Sequence, residues 1–254
     1  MNAIERLKYG ALLRGGLWFG GLPRELQEAI LELSVVRWHA RGSTIVLQDT
    51  FPEGLFAVLE GQVAIERWAT PDQQVLIDVA TPGTWFGELA VLLHTKATQV
   101  RTGVESVART DARVLVLRLA AFEELIERHP ESYRCFARLA LERYDLCMRA
   151  ETEFRALTAD ELVAAKLADL ASSRQQDRPS GPSIVLELTQ TDVAALTGLS
   201  RQTVNAELHR LAERGLIELA FRRIKIADVE RLRTWLVSPQ GGRRSNDRVT
   251  AAAH

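Results

Sequence analysis

Side chains that could recognise DNA bases are clustered between positions 201 and 205 of the 254-residue chain. Arg201 and Gln202 are of the types that form bidentate hydrogen bonds with guanine and adenine when a helix lies in the major groove. Other polar groups nearby suit phosphates or base edges and complete the predicted DNA-binding set: Thr189, Gly198, Ser200, Thr203, Asn205, Arg222, Arg223 and Lys225. This composition predicts a nucleic-acid interface.

Local signals predict the elements that would position these groups between Leu188 and Ile226. Thr189, followed three residues later by Asp192, is typical of a capping box, and Ser200 is a strong N-cap for a second helix. Gly198 stands where the first helix must end. A helix-turn-helix followed by a β-hairpin is therefore predicted. An ordinary pair of packed helices is the alternative.

Charge supports DNA binding only locally. The net charge of the chain is −1, whereas the segment from Leu188 to Ile226 holds six Lys and Arg residues against four Asp and Glu. DNA affinity must therefore come from one basic face, presented twice in a dimer.

Short segments separated by turn residues follow a helix predicted to begin near Leu22, itself preceded by a mobile or helical leader over 1–14. This spacing predicts an antiparallel barrel or jelly roll. A tight hairpin at Glu60-Gly61 is predicted to join the second and third strands. The predicted strands are Thr44–Gln48, Leu55–Leu59, Gln62–Trp68, Gln74–Val79 and Arg113–Leu119, with turns at Pro71-Asp72 and Pro82-Gly83.

A long helix is predicted to open at Pro130, after a short helix over Ala120–Arg128 that His129-Pro130 breaks. Apolar residues recur along it at spacings of three and four, which favours a seam with a symmetry-related copy. Arg143 and Glu153 interrupt this seam, so a helix resting partly on its own barrel is the alternative. The predicted seam is Phe136, Leu139/Ala140, Arg143, Leu146/Cys147, Ala150, Glu153/Phe154 and Leu157.

Four further features are predicted towards the C-terminus. Thr158 is an N-cap for a helix that runs to about Ser172, and Ser173–Ser183 is a polar loop. Asp228 caps a last helix that ends near Trp235. The chain beyond residue 238 is predicted to be a disordered tail.

Two motifs, in this order, resemble the CRP/FNR family of bacterial transcription regulators. They are the barrel segment 83–90, GTWFGELA, and the helix segment 199–205, LSRQTVN. The resemblance extends from about Leu17 to Trp235. It implies an α+β fold with an N-terminal β jelly roll that is cyclic-nucleotide-binding-like (15–129), a dimerisation helix (130–157), a winged helix-turn-helix domain (158–237) and the tail (238–254).

The resemblance also implies an effector site. In the family, the segment matching Gly87, Glu88 and Leu89 opens a phosphate-binding cassette for a cyclic nucleotide, and an Arg-Ser or Arg-Thr pair follows. Family spacing places that arginine at Thr98, so the nearest pair, Arg101 and Thr102, requires an insertion. Cyclic AMP is the candidate cofactor. Arg101 as a solvated strand residue, and Glu88 as a structural acceptor, are the alternatives.

The long helix departs from the cyclic-AMP-responsive members of the family, where two hydroxyl side chains hold the adenine. The matching positions are Cys147 and Met148, which are poor hydrogen-bond donors. Cys135 and Cys147 are redox candidates, with small buried hydrophobes as the alternative.

The resemblance also bears on the DNA half-site. Ala206 stands where the cyclic-AMP-responsive members have a second base-reading arginine. The half-site is therefore expected to differ from a TGTGA-type core.

The sequence lacks the residues that several other classes of function would require. No cysteine cluster precedes the barrel to hold an iron–sulfur centre, and His94 has no cysteine neighbour to make a haem site. No metal-spaced cluster, catalytic triad or phosphate-binding loop is present, so an enzyme is not expected. A membrane span and a signal-peptide core are also not expected, which predicts a cytoplasmic protein.

The function expected from these features is that of a homodimeric regulator that binds a two-fold operator in double-stranded DNA. A cyclic nucleotide or the redox state of the cysteines would control it, and RNA polymerase is a candidate partner. The alternative is a cyclic-nucleotide-binding module whose C-terminal helices mediate protein contacts.

Overall fold

A computed structural model of the chain describes residues 3–70, 73–95, 98, 100–177 and 183–238. The chain divides into two compact units, Met1–Met148 and Arg149–His254. The predicted turn at Pro71-Asp72, most of the polar loop after residue 177 and the tail beyond residue 238 lie outside the described residues.

Three helices precede the first strand: α1 (Ala3–Arg14), α2 (Leu17–Gly20) and α3 (Arg24–Leu33). The leader is helical and packs on the first unit, because Tyr9 and Leu13 of α1 are buried in its core. Helix α3 begins after Pro23, as predicted, and buries Leu26 and Ile30. Their spacing of four residues places both side chains on the face that meets the core.

Eight strands form two antiparallel four-stranded sheets, as predicted for a jelly roll. The first sheet contains β1 (Val35–His39), β8 (Ala112–Arg118), β3 (Gly54–Glu60) and β6 (Trp85–Phe86), in that order. The second contains β2 (Thr44–Val46), β7 (Glu105–Ala108), β4 (Val63–Thr70) and β5 (Gln73–Ala80), in that order. The five predicted strands correspond to β2, β3, β4, β5 and β8, and the sequence patterns missed β1, β6 and β7.

The predicted hairpin at Glu60-Gly61 is wrong. Strands β3 and β4 follow each other in the chain but belong to different sheets, so the turn between them carries the chain from one sheet to the other. Gly61 has φ 83°, and a Cβ at this position would lie 2.3 Å from the carbonyl oxygen of Asp111. The crossing therefore requires glycine, both for its left-handed backbone and for its lack of a side chain.

Strands β3 and β8 are buried on both faces, because the first sheet separates two cores. Residues such as Phe56, Val114 and Val116 pack between the sheets. Leu55 and Leu115 point the other way and pack beneath the helices. Side chains alternate along a strand, so two apolar faces produce the continuous apolar runs seen in the sequence.

Helix α5 (Leu119–Arg128) leads to a 3₁₀ turn over Pro130–Ser132, after which the long helix α6 (Tyr133–Ala156) begins. Pro130 therefore opens a 3₁₀ turn, and the α-helical geometry of α6 begins three residues later, at Tyr133. Phe136 of α6 is buried in an aromatic cluster with Trp18, Phe19 and Trp85. The indole Nε1 of Trp18 donates to the Cys135 carbonyl over 2.6 Å, which ties α2 to α6.

The second unit contains the predicted helix-turn-helix and wing. Its elements are α7 (Ala159–Asp177), β9 (Ile184–Leu186), α8 (Gln190–Thr197), α9 (Arg201–Glu213), β10 (Ile217–Ala220), β11 (Arg223–Ile226) and α10 (Val229–Val237). Helix α7 continues five residues beyond Ser172, so 173–177 are helical rather than a loop. Strand β9 was not predicted; it pairs with β11 to make a three-stranded sheet.

We expect Gly61→Ala to lower the free energy of unfolding of the first unit by about 2–4 kcal/mol, since the new Cβ overlaps backbone and the left-handed φ is strained. Gly42→Ala is the matched control: Gly42 has φ 82°, but a Cβ added there would meet no neighbouring atom within 4 Å. Its cost should be only the backbone term, about 1–2 kcal/mol. Urea unfolding followed by circular dichroism measures both, and equal costs would contradict the steric role of Asp111.

Candidate nucleic-acid interface and effector site

The caps of α8 and α9 form as predicted. The Thr189 hydroxyl accepts from the Asp192 amide over 3.1 Å, while the Asp192 carboxylate accepts from the Thr189 amide over 2.8 Å. Gly198 ends α8 with φ 68°, and the Ser200 hydroxyl accepts from the Thr203 amide over 3.1 Å. These hydrogen bonds satisfy amides that the helices leave unpaired, and so fix the turn that presents α9.

Arg201 and Gln202 lie exposed on the first turn of α9. In the described part of the chain, neither side chain makes a hydrogen bond or an ion pair. Asn205 differs, because its Oδ1 accepts from Gln190 Nε2 over 2.6 Å and so braces α9 against α8. The side chains of Arg201 and Gln202 therefore remain unengaged at the tip of α9, while that of Asn205 has a structural partner.

The predicted cations of the wing have different environments. Lys225 Nζ lies 2.9 Å from a Glu218 carboxylate oxygen, and an Arg223 guanidinium nitrogen lies 3.5 Å from Glu187. Arg222 is exposed and makes no such contact among the described residues. Arg201 and Arg222 line the same groove of about 540 Å³ between α9 and the wing. These two arginines are therefore the cations best placed to meet an external anion on this face.

The predicted effector residues begin at the bend between β6 and a short helix, α4 (Glu88–Leu93). Gly87 adopts φ 91° and caps α4, as only glycine does readily. Glu88 is buried with 5% of its surface exposed, whereas Leu89 is 55% exposed. The segment thus places one carboxylate inside the unit and an apolar side chain at its surface.

Arg143 of α6 is the partner of that carboxylate. Its guanidinium lies 3.6 Å from Glu88, 3.0 Å from Asp78 of β5 and donates to the Trp85 carbonyl over 2.7 Å. Burial alone would lower the pKa of Arg143, but the two carboxylates outweigh it and hold that pKa above its ordinary value. Sequence patterns marked Arg143 only as an interruption of the apolar seam. An arginine among apolar helix positions was the available signal for a buried carboxylate partner.

The structure does not bring Arg101 to Glu88. The Arg101 guanidinium lies 4.8 Å above the Phe51 ring and donates to the Asp49 carbonyl over 2.6 Å. Phe51 packs edge-on against His94, which follows the last residue of α4. Helix α4 has six residues and is about 9 Å long, so Arg101 lies towards one end of it and Glu88 lies at the other.

Thr102 is buried and has a structural role in this conformation. Its hydroxyl donates to the Leu47 carbonyl over 2.7 Å and accepts from the Thr50 amide over 3.2 Å. These hydrogen bonds tie the segment before β7 to the turn after β2. The described arrangement therefore leaves Thr102 no free donor for a ligand.

One face of α6 rests on its own unit, so the alternative to the predicted seam holds for that face. Phe136 and Leu139 are buried against the first unit, and Arg143 reaches its carboxylates there. Leu141 and Tyr144 on the opposite face are 65% and 62% exposed. The predicted positions after residue 149 belong to the second unit or have side chains outside the described set.

The two cysteines also differ. Cys135 is half-buried and packs against the helix-covered core, whereas Cys147 is exposed on α6 one turn after Arg143. Both are free thiols. In the single chain, Cys147 therefore does not fit the alternative of a small buried hydrophobe.

Family models match both units. A cyclic nucleotide-binding domain matches residues 36–129, and a Crp-like helix-turn-helix domain matches residues 162–235. A CRP-like cAMP-activated global transcriptional regulator of Mycobacterium tuberculosis is 27% identical over 221 residues, which cover 87% of this chain and 96% of that protein. The cyclic AMP receptor protein of Thermus thermophilus is 28% identical, with coverage of 82% and 90%.

Solved structures agree in fold. A CRP/FNR family transcriptional regulator from Thermus thermophilus superposes with a TM-score of 0.59 at 21% identity, covering 80% of this chain and 99% of the other. FixK2 from Bradyrhizobium japonicum gives a TM-score of 0.66 at 17% identity, covering 79% and 96%. The fold and the two domain matches define a DNA-binding transcription regulator with a cyclic nucleotide-binding domain. The chain belongs to the CRP/FNR family.

The described ranges hold no group of three or more His, Cys, Asp or Glu side chains arranged to bind a metal ion. Within the same ranges, no helix combines the length and the apolar character needed to cross a membrane.

We expect Arg201→Ala to weaken binding to a specific duplex by about 1–3 kcal/mol, because a bidentate contact to a base edge is lost. The duplex is obtained by selection from a random library with the wild-type chain, and affinity is measured by fluorescence anisotropy. Arg231→Ala is the charge-matched control, since Arg231 is an exposed arginine of α10. Equal losses in both variants would show that only net charge matters and that α9 does not read the site.

Proposed function

We propose that the protein is a homodimer whose α9 helices read a two-fold operator through Arg201 and Gln202, and whose first unit binds a cyclic nucleotide, with cyclic AMP as the leading candidate. The relatives described as cAMP-activated support this ligand class for the matched domain. Phosphate contacts would come from the caps of α8 and α9 and from Arg222. RNA polymerase remains a candidate partner of the DNA-bound dimer.

The observation that carries the effector proposal is the contact between Arg143 and Glu88. It joins the segment that matches the nucleotide cassette directly to α6. A ribose hydroxyl that donates to Glu88 would change the partners of the Arg143 guanidinium. Occupation of the site would thereby alter the seating of α6, which is the helix that leads from the first unit into the second.

The phosphate end of the proposed site needs a rearrangement. Arg143 faces two carboxylates, so the cluster offers an anion no surplus positive charge. Arg101, the predicted partner of the phosphate, must leave Phe51 and the Asp49 carbonyl to reach a ligand. Loss of these contacts would reduce the affinity below that of a preformed site.

We expect calorimetric titration with cyclic AMP to give saturable binding, and Glu88→Gln to weaken it about ten-fold or more, because hydrogen bonds to charged groups contribute about 1.5–3 kcal/mol. Glu127→Gln is the matched control, an exposed glutamate of α5. Cyclic GMP is titrated in parallel, and oxidised protein is titrated with cyclic AMP to test the two cysteines as redox sites. No heat with either nucleotide would reject the effector proposal and leave the DNA-binding function intact.

A dimer through the exposed face of α6 fits the spacing of its side chains. Ala137, Leu141, Tyr144 and Met148 follow one another at intervals of four, three and four, as in the seam of a coiled coil. Leu141, Tyr144 and Met148 are 65%, 62% and 47% exposed in the single chain. The proposed seam therefore replaces the predicted one, which began with Phe136 on the opposite face.

We expect Leu141→Glu to convert the dimer to monomers in sedimentation equilibrium. Two leucines, one from each subunit, would each lose about 1.5–3 kcal/mol of burial, and two carboxylates would face each other. Leu7→Glu is the control, because Leu7 of α1 is 76% exposed and lies outside the proposed seam. A Leu141→Glu protein that remains dimeric would place the interface elsewhere.

A further inference from the structure

We infer that the tip of the wing, Phe221 and Arg222, inserts into the DNA beside the groove occupied by α9, with the phenylalanine ring opening a base step. The inference rests on the proposed placement of α9 on DNA. It adds a contact of a different chemical kind to the hydrogen-bonding residues.

Exposure is the first observation. Phe221 is 91% exposed, more than any other exposed large apolar side chain in the described ranges. Single apolar residues are common on protein surfaces, so exposure by itself has no functional meaning. The position of Phe221 gives its exposure a functional meaning, because Phe221 and Arg222 form the tip of the hairpin between β10 and β11.

Backbone strain is the second observation. Ala220 pairs with Arg223, so the loop consists of Phe221 and Arg222 alone. Arg222 has φ 56°, and among the described residues the other non-glycine residue with positive φ is Asp49. Glycine or asparagine is the usual choice at such a position of a tight turn. Strained backbone conformations of this kind cluster at functional sites.

Charge is the third observation. Arg222 has no partner in the described chain, whereas Arg223 and Lys225 are paired with Glu187 and Glu218. The tip therefore presents one aromatic ring next to one unneutralised cation. Duplex DNA satisfies both groups, since phosphates accept from the guanidinium and a base step receives the ring. An apolar pocket on a protein would take the ring alone.

Continuity with α9 is the fourth observation. Arg201, Phe221 and Arg222 line one groove, so a duplex that meets α9 also meets the tip of the wing. Phenylalanine is among the apolar side chains that enter the minor groove, partly unstack a step and kink the duplex. The wing would then select DNA by how easily one step deforms, in addition to the base edges read by α9.

The test uses the full chain and a duplex selected from a random library by the wild-type protein. 2-Aminopurine replaces adenine at successive steps flanking the α9 footprint, and bending is measured by circularly permuted gel shift. Wild type should raise 2-aminopurine emission at one flanking step of each half-site and bend the duplex. Phe221→Ala should lose that emission rise, bend less and bind about ten-fold more weakly, as expected for a lost aromatic–base contact.

Two further variants test whether an apolar side chain at position 221 is what bends the DNA. Phe221→Leu keeps an apolar wedge and should retain most of the bend. Val237→Ala removes another apolar side chain of the same unit, 85% exposed, and should bind and bend as wild type does. Thermal unfolding confirms that each variant is folded.

Each of the following outcomes overturns the inference. Phe221→Ala with wild-type affinity, bend and emission rejects it. Loss of transcription without any change in DNA binding or bending assigns Phe221 to a protein partner instead. Arg201→Ala distinguishes failure of the wing contact from failure of the proposed placement of α9. If Arg201→Ala loses DNA affinity and Phe221→Ala does not, only the wing contact is rejected. If neither variant loses affinity, the placement of this whole face on DNA is rejected.

Discussion

The ion cluster of Arg143 with Asp78 and Glu88 constrains the rest of the first unit. A guanidinium withdrawn from water is costly unless carboxylates receive it, and removal of either side of such a cluster leaves an uncompensated charge. Arg143 lies on the same face of α6 as Phe136 and Leu139, which pack against the apolar core. Apolar contacts and charge pairing therefore select the same rotation of α6. That rotation leaves Leu141 and Tyr144 exposed on the face that we propose for a second subunit.

The structural features that could be predicted best from the sequence are those determined by residues close together in the chain. The caps of α8 and α9 depend on residues at most three positions apart, so Thr189, Asp192 and Ser200 could be assigned from spacing alone. The jelly roll was also predicted, because turn residues separate its strands. Pairing between the strands was not, since β3 and β4 are adjacent in the chain yet enter different sheets. Nothing local distinguishes a crossing glycine from a hairpin glycine.

The same limit applies to the candidate sites. Arg143 lies 55 positions after Glu88 in the numbering, and only the folded barrel shows that they meet. Arg101 was assigned to the effector site from a family pattern, but the local contacts with Phe51 and Asp49 hold it elsewhere. In the wing, three cations looked equivalent in sequence. Strand register decides that Arg223 and Lys225 have acidic neighbours and that Arg222 does not.

The aromatic cluster beneath α6 gives the protein an intrinsic optical probe. Trp18 donates to the Cys135 carbonyl, and the Trp85 carbonyl accepts from Arg143, so both buried indoles belong to residues that hold α6 in place. Their rings lie 5.0 Å apart. Indole emission depends on local polarity and on neighbouring rings, so a shift of α6 would change the ultraviolet fluorescence of the unlabelled chain. Trp38, which is 63% exposed, provides a solvent-facing reference in the same unit.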